Sequence, residues 1–314
     1  MLAGVTDLEL GPLRFGIVGA GRLGLAIGHA LHEQGLEVVH VSSRSVEGRE
    51  RAAHVLGVPA HEDPLQVAEH VDVVLVCVPD DAVTSVMARL AQRAADASPM
   101  RLRVVSTSAA GGMRALDPLT AAGHVTCVLH PVATVTGHEG ETGPFAGAGA
   151  AIGAEDDASR TFAHALAHAL LLLPYDLDAA AWPLHAAACA TAANLTTTLL
   201  AMTEDLAREA GIHEGVARSV YGRLAASAVD LAIREGAGAQ CAGPIVRGDV
   251  AAVRSQLIAV RTHTPQHQDL FRAGIAEAVQ RAFGAGRIDM DTAHRLASAL
   301  ADAMQHDVLG PGDH

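Results

Sequence analysis

The sequence predicts an α/β fold, a doubly wound parallel sheet followed by an all-α C-terminal domain, and three observations predict it. In the first half, short β-branched runs alternate with alanine-rich segments, the pattern of βαβ units. Those runs are continuously apolar, as strands buried on both faces require. From Pro183 onward no strand pattern appears, and alanine/leucine segments with a 3.6-residue period dominate.

Taken in order, strands are expected at LRFGIVG (13–19), LEVVHVS (36–42), VDVVLVCV (71–78), LRVVSTS (102–108), VTCVLHP (125–131) and GAAIGA (149–154). A helical segment, DASRTFAHALAHAL, and a short run, LLLPYDL, close a sheet domain spanning 13–178. Residues 179–306 are expected to form the helical domain, with TTTLLAMTEDLAREAG ending on the helix-stopping Gly211. Residues 1–12 and 307–314 read as loose termini. The uncharged stretch Ala179–Thr203 is long enough to cross a bilayer, but Asn194 and several threonines accompany mostly alanine. It reads instead as a helix buried between domains or subunits, and a homodimer is expected.

Composition narrows the function. The chain has 314 residues, 50% of them apolar, enough for a sizeable core and two domains. The formal charge is −13 and arginine is not concentrated on one face, so no nucleic-acid partner is expected. MLAGVTDLELG lacks the basic start and apolar run of a signal peptide, which points to a cytoplasmic protein with no membrane association. Cys77, Cys127, Cys189 and Cys241 lie far apart without a C-x-x-C pair, fitting buried reduced thiols rather than disulfides or zinc, and no metal site is expected. The chain contains no lysine, so Schiff-base chemistry and lysine acid/base catalysis are excluded.

The first expected strand runs directly into Gly19-Ala20-Gly21-Arg22-Leu23-Gly24 and then a helical segment. In that context G-x-G-x-x-G has a mechanism: a tight turn, close backbone approach to a pyrophosphate, and free N–H groups at a helix start. These six residues are expected to bind a dinucleotide in a Rossmann arrangement. The second strand ends in Ser42-Ser43-Arg44-Ser45, with no carboxylate to hold a ribose 2′-hydroxyl. Ser43, Arg44 and Ser45 suit a 2′-phosphate, so NADP(H) is the expected cofactor, unless Arg44 is merely a solvated loop residue. Val78 and Pro79, Thr107 and Ser108, and the stretch around His130 end later strands at the carboxyl edge, where the nicotinamide would lie.

The pieces GIVGAGRLG, SSRS, VCVPDDAV, VVSTSAA, LHPVATV, LHAAACATAAN and GPIVRGD together resemble a bacterial family with a Rossmann-like domain followed by domain of unknown function 2520. That family is related in fold to pyrroline-5-carboxylate reductase and the β-hydroxyacid dehydrogenases, and includes alternative ketopantoate reductases. The resemblance implies an NADPH-dependent reductase whose helical second domain closes over the cofactor and supplies a dimer interface.

Reduction of C=O or C=N leaves the protein to orient the acceptor and supply a proton. The candidates are His185, His130, Asn194, Arg247 and Asp249. His185 reads as a proton donor or as a helix-start histidine bonded to backbone. Asn194 reads as an active-site amide or a buried amide joining helices. On an ideal helix, nine residues of separation put these two on opposite faces unless the helix is distorted. His130 reads as a cofactor-side residue or a strand-end cap. Arg247 suits capture of a carboxylate, with Asp249 fixing its fork. The same pair also reads as a helix N-cap with an internal salt bridge, while an adhesion role for Arg247-Gly248-Asp249 fits the chain poorly. His263 and His267 of HTPQH read as ordinary surface histidines.

The expected function is NADPH-dependent reduction of a small carboxylate-bearing 2-oxo acid, ketopantoate-like. The alternatives are an imine reductase of the pyrroline-carboxylate type and a non-catalytic NADP(H) sensor.

Overall fold

β-Branched runs of four to eight residues supply most of one sheet: Arg14–Val18 (β1), Glu37–Ser42 (β2), Ala60–His61 (β3), Val73–Val76 (β4), Arg103–Ser106 (β5), Val125–Val132 (β6), Gly149–Ala154 (β7) and Leu173–Asp176 (β8). The computed structural model describes residues 10, 12–96, 101–137, 143–237 and 243–305. The strand order is β3-β2-β1-β4-β5-β6-β7-β8, parallel except that β7 runs antiparallel to β6. The chain steps outward from β1 to β3 and returns to β4 on the other side of β1. This leaves a switch point beyond the carboxyl ends of β1 and β4, where ligands bind in open α/β sheets. All six expected strands are present; the two-residue β3 was not foreseen, and β8 lies in the LLLPYDL run.

Alternation along the strands divides the core between the sheet's two faces. Phe15, Ile17, Val38, Val41, Leu75 and Ile152 pack with one set of helical side chains; Val18, Val74, Val76, Val104 and Val128 pack with the other. The helices of this half are Arg22–Glu33 (α1), Val46–Leu56 (α2), Pro64–Ala68 (α3), Asp80–Asp96 (α4), Asp117–Ala121 (α5) and Asp157–Ala169 (α6). Their starts are written locally. Ser45 caps α2 through Gly48 N at 3.0 Å, and Asp63 caps α3 through Leu65 N at 3.0 Å, with Pro64 opening the helix.

Two compact units divide at Ala193/Asn194, fifteen residues beyond the expected boundary at 178/179. The cause is Trp182, the first residue of Trp182–Ala190 (α7). It is 2% exposed and belongs to the second of the two sheet cores. Gly153 on β7 makes room for it, since a Cβ there would stand 2.8 Å from the indole. Leu10, within the N-terminal stretch expected to be loose, is likewise fully buried in the first core. Residues 1–9, 11 and 306–314 lie outside the described residues, as does Cys241.

After α7 the chain makes a π-helical turn at Thr191–Leu195 and continues as Thr196–Glu209 (α8). Residues 190–199 are all exposed in the single chain. Among the described residues, no helix is long and apolar enough to cross a membrane.

The second unit is helical throughout, as expected: α8, then Glu214–Glu235 (α9), Val250–His263 (α10), Gln268–Gly284 (α11) and Met290–Gln305 (α12). Its core is small, built from Ile245, Val253, Leu257, Val279, Ala282, Ile288, Leu296 and Leu300. His267 bonds Asp205 of α8 at 2.8 Å and is half-buried, so it ties elements together rather than sitting as a surface histidine.

Candidate functional site

The glycine loop connects β1 to α1 at the switch point. Gly19 takes φ +108°, and a Cβ there would run into the Cys77 carbonyl, so only glycine lets β1 and β4 close at this point. Gly21 occupies the N-cap of α1 with no side-chain cap and no acidic residue in the first turn. The first N–H groups of α1 therefore face outward with the positive end of the helix dipole, a ready site for pyrophosphate.

Two clefts meet over this loop, sharing Gly21, Cys77, Val78 and Pro79. One, about 600 Å³, extends over Gly19 and Ala20 to Ser43, Arg44, Ser45 and Arg51. The other, about 620 Å³, extends over Arg22 and Leu23 to Asp80, Thr107, Ser108 and His130. Of the expected cofactor residues only Gly24 lines neither; it sits in α1 and its missing Cβ lets the helix pack against the loop carbonyl of Gly19. Each cleft is of the size used for small ligands, and together they follow the sheet's carboxyl edge as a dinucleotide does.

The first cleft is arginine-rich. Arg49 donates to the carbonyls of Ser43 (2.9 Å) and Arg44 (3.0 Å), bracing the turn that presents Arg44, and pairs with Glu62 at 3.9 Å. Arg51 reaches from α2 to the Ala20 carbonyl at 3.4 Å. Sequence reasoning identified Arg44 but missed Arg49 and Arg51, because nothing in their spacing marks them as sharing the turn. The lining carboxylate, Glu62, is held by Arg49, leaving Arg44 and Arg51 to offer guanidinium groups to a phosphate.

In the second cleft, Ser108 donates to Asp80 Oδ1 at 2.5 Å and accepts from Gly111 N at 3.2 Å. Thr107 donates to the Val76 carbonyl at 3.1 Å. Both hydroxyls are thus oriented by the protein. His130, on β6, meets His185 of α7 although 55 residues separate them: Nδ1 to Nε2 is 3.1 Å. The rings stand edge to face, and Trp182 contacts His185 edge-on in the same way. Tyr175 Oη lies 3.5 Å from His185 Nδ1, and Cys189 Sγ lies 3.7 Å from His185 Nε2.

Burial, and next the neighbouring His185, push the His130 pKa down to about 4, against a smaller opposing pull from Asp80. Burial also lowers that of His185 and raises the Cys189 thiol. Near neutral pH both imidazoles are uncharged. They can donate an N–H, accept a proton or ligate a cation, but carry no spare acidic proton. Neither alternative written for these histidines from sequence foresaw their pairing; the fold brings α7 back against β6. The i, i+4 spacing of His185 and Cys189 on one helical face was a readable signal that went unused.

Asn194, Arg247 and Asp249 belong to the helical unit. Asn194 is exposed within the π turn, a local distortion of the helix of the kind on which the facing argument depended. Asp249 caps α10, accepting from Ala252 N at 3.0 Å. Gly248 adopts φ +64° against Thr292, which shapes the connector. Among the described residues Arg247 makes no salt bridge to Asp249, so the cap forms without the internal pair.

Residues 3–131 match the model of the Rossmann-like domain family, and residues 149–277 match that of domain of unknown function 2520. The two matches lie in tandem, the first over most of the sheet unit and the second starting at β7 and running into the helices. No curated protein matches the sequence. Among solved structures, a Bacteroides fragilis protein described as an NADP oxidoreductase shares 20% identity at TM-score 0.69, over 83% of this chain and 95% of its own. A pyrroline-5-carboxylate reductase from Coxiella burnetii shares 14% at TM-score 0.55, over 93% and 97%. The Plasmodium falciparum pyrroline carboxylate reductase, solved with NADP bound, shares 9% at TM-score 0.54, over 93% and 97%. The chain shares the fold of these three proteins.

Proposed function

We propose that this protein is an NADPH-dependent reductase of a small carboxylate-bearing 2-oxo acid, of which ketopantoate is the type. The observation carrying this reading is the pair of joined clefts on the glycine loop, one ending at Arg44 and Arg51 and the other at His130. The first suits a 2′-phosphate; the second suits a nicotinamide with its acceptor alongside. Held by the glycine loop and Arg44, NADPH would supply a hydride with its electron pair to the keto carbon, while solvent water would supply the proton to the oxygen. NADP⁺ and a 2-hydroxy acid are the products. The contact of His185 with His130, a residue that lines the second cleft, supports a role for the pair in hydrogen-bonding that oxygen as charge develops. Arg247, exposed and without an ion pair among the described residues, is our candidate for the acceptor's carboxylate.

The test is NADPH consumption, followed by loss of its absorbance, against ketopantoate, other 2-oxo acids and cyclic imines. Turnover of a 2-oxo acid, with KM rising at least about tenfold in Arg247→Ala (1.4 kcal/mol), is the expected result. Turnover of imines alone would overturn the choice of acceptor, and cofactor binding with no turnover would overturn the reductase reading.

A further inference from the structure

We propose that His130, His185 and Cys189 form a three-ligand site for a zinc-class divalent cation, its fourth position open toward the second cleft. Nδ1 of His130, Nε2 of His185 and Sγ of Cys189 offer one lone pair each, and the three atoms lie within 4.8 Å of one another. Zinc bonds of about 2.0–2.1 Å to nitrogen and about 2.3 Å to sulfur, at tetrahedral angles, place ligand atoms about 3.3 Å (N to N) and about 3.6 Å (N to S) apart. The observed separations are 3.1 Å for the two nitrogens and 3.7 Å from His185 Nε2 to sulfur. Two edges of the coordination triangle therefore stand near their ligated lengths. The third, from His130 to the sulfur, is no longer than 4.8 Å.

The surroundings suit a cation as well. His185 and Cys189, four residues apart, share one face of α7, and β6 holds His130 opposite them. Tyr175 lies at the other ring nitrogen of His185, where an outer partner fixes the tautomer of a metal-bound imidazole. Trp182 walls the far side of the ring. Two neutral imidazoles and one thiol form the mixed nitrogen and sulfur donor set that zinc, cobalt and copper prefer over magnesium or calcium. His130 also lines the second cleft, so a cation on the trio is reached from there. Resting on the reductase reading, such a cation would polarise the acceptor oxygen, a task for which this chain has no lysine.

The experiment is Co²⁺ titration of the full-length protein after chelator treatment, read by absorbance, with metal per chain counted by mass spectrometry. Expected are about one cobalt per chain, strong visible bands of tetrahedral cobalt, a thiolate-to-cobalt charge-transfer band, and displacement of all three signals by Zn²⁺. Cys189→Ser abolishes the charge-transfer band, and His130→Ala and His185→Ala weaken binding at least tenfold, on the order of what even outer partners of a metal ligand contribute. Absence of stoichiometric binding overturns the site, as does bound cobalt without the thiolate band or a band that survives in Cys189→Ser. Melting temperatures of the variants exclude unfolding as the cause. NADPH binding to the metal-free protein, read by cofactor fluorescence, tests the cofactor cleft on which the reductase reading rests without involving the metal, so the two failures are distinguishable.

Discussion

Two helices show how differently the halves of this chain are held. In α6, thirteen residues long, seven are buried, because the helix lies on a sheet whose apolar face is continuous. In α9, twenty-two residues long, only Ala217 is buried, and Val220, Leu224 and Ile233 stand 54%, 65% and 78% exposed. The sheet half completes its own core and fixes the glycine loop, Arg44 and His130 by strand ends. The helical half leaves an apolar row that one chain does not cover. The lesson is that the cofactor cleft can be understood within the sheet unit, whereas the helical unit asks for a partner surface; we propose a second copy of the chain.

The largest effect is expected where the contrast is sharpest. Gly21 and Gly222 both have open space where a Cβ would be, so an aspartate fits at either without collision. Gly21→Asp sets a carboxylate against the pyrophosphate position, and like charges in contact cost several kcal/mol. NADPH affinity should fall roughly 100-fold or more. Gly222→Asp on α9 should leave it unchanged; calorimetric titration of both variants checks this, and equal losses would break the comparison.

Next in size is the core that sets the unit boundary. Trp182→Ala should cost about 3–5 kcal/mol, read by denaturant unfolding. A loss under about 1 kcal/mol would mean that α7 is not anchored in the sheet unit as described.

Charge at the first cleft should give a smaller, selective effect. Arg44→Ala should weaken NADPH about tenfold while leaving NADH unchanged, because only the 2′-phosphate loses a partner. Comparable losses for both cofactors would place Arg44 elsewhere in binding. In the helical half, light scattering should give twice the mass of one chain, and Leu224→Asp should yield monomers. A wild-type monomer would contradict the proposed covering of α9.

The smallest effect is a pH dependence confined to the sheet edge. His40 contacts His61 (2.8 Å between ring nitrogens) and His70, and burial, then those neighbours and Arg14, lower its pKa below the ordinary 6.5. Folded protein therefore holds fewer protons than unfolded protein just below that value. The group's contribution is fully present above about pH 6.5 and is lost as pH falls through the lowered value. His40→Asn should show a shallower loss of melting temperature between about pH 7 and about pH 5; an unchanged slope would remove His40 as the cause.

Much of this was legible in the sequence because buried parallel strands write themselves as apolar runs and a phosphate-binding turn needs glycine at fixed offsets. Gly19 to Gly24, Ser43 to Ser45, Val78, Pro79, Thr107 and Ser108 all lie at the sheet's carboxyl edge for that reason. β3 was not legible: two residues carry no period. The boundary expected at 178/179 rests on the composition change near 179, whereas the compact units divide at Ala193/Asn194, beyond the buried indole at 182. The meeting of His130 with His185 and Cys189 depends on how α7 returns to β6, a long-range fact that no local pattern encodes.

The most direct test of the central claim is a side-by-side titration of the wild-type protein with NADPH and NADH by calorimetry. Saturable binding of one NADPH per chain, at least about tenfold tighter than NADH (1.4 kcal/mol or more), is the predicted result. Absence of saturable binding, or a preference for NADH, would contradict the assignment of the arginine-lined cleft and the function built on it.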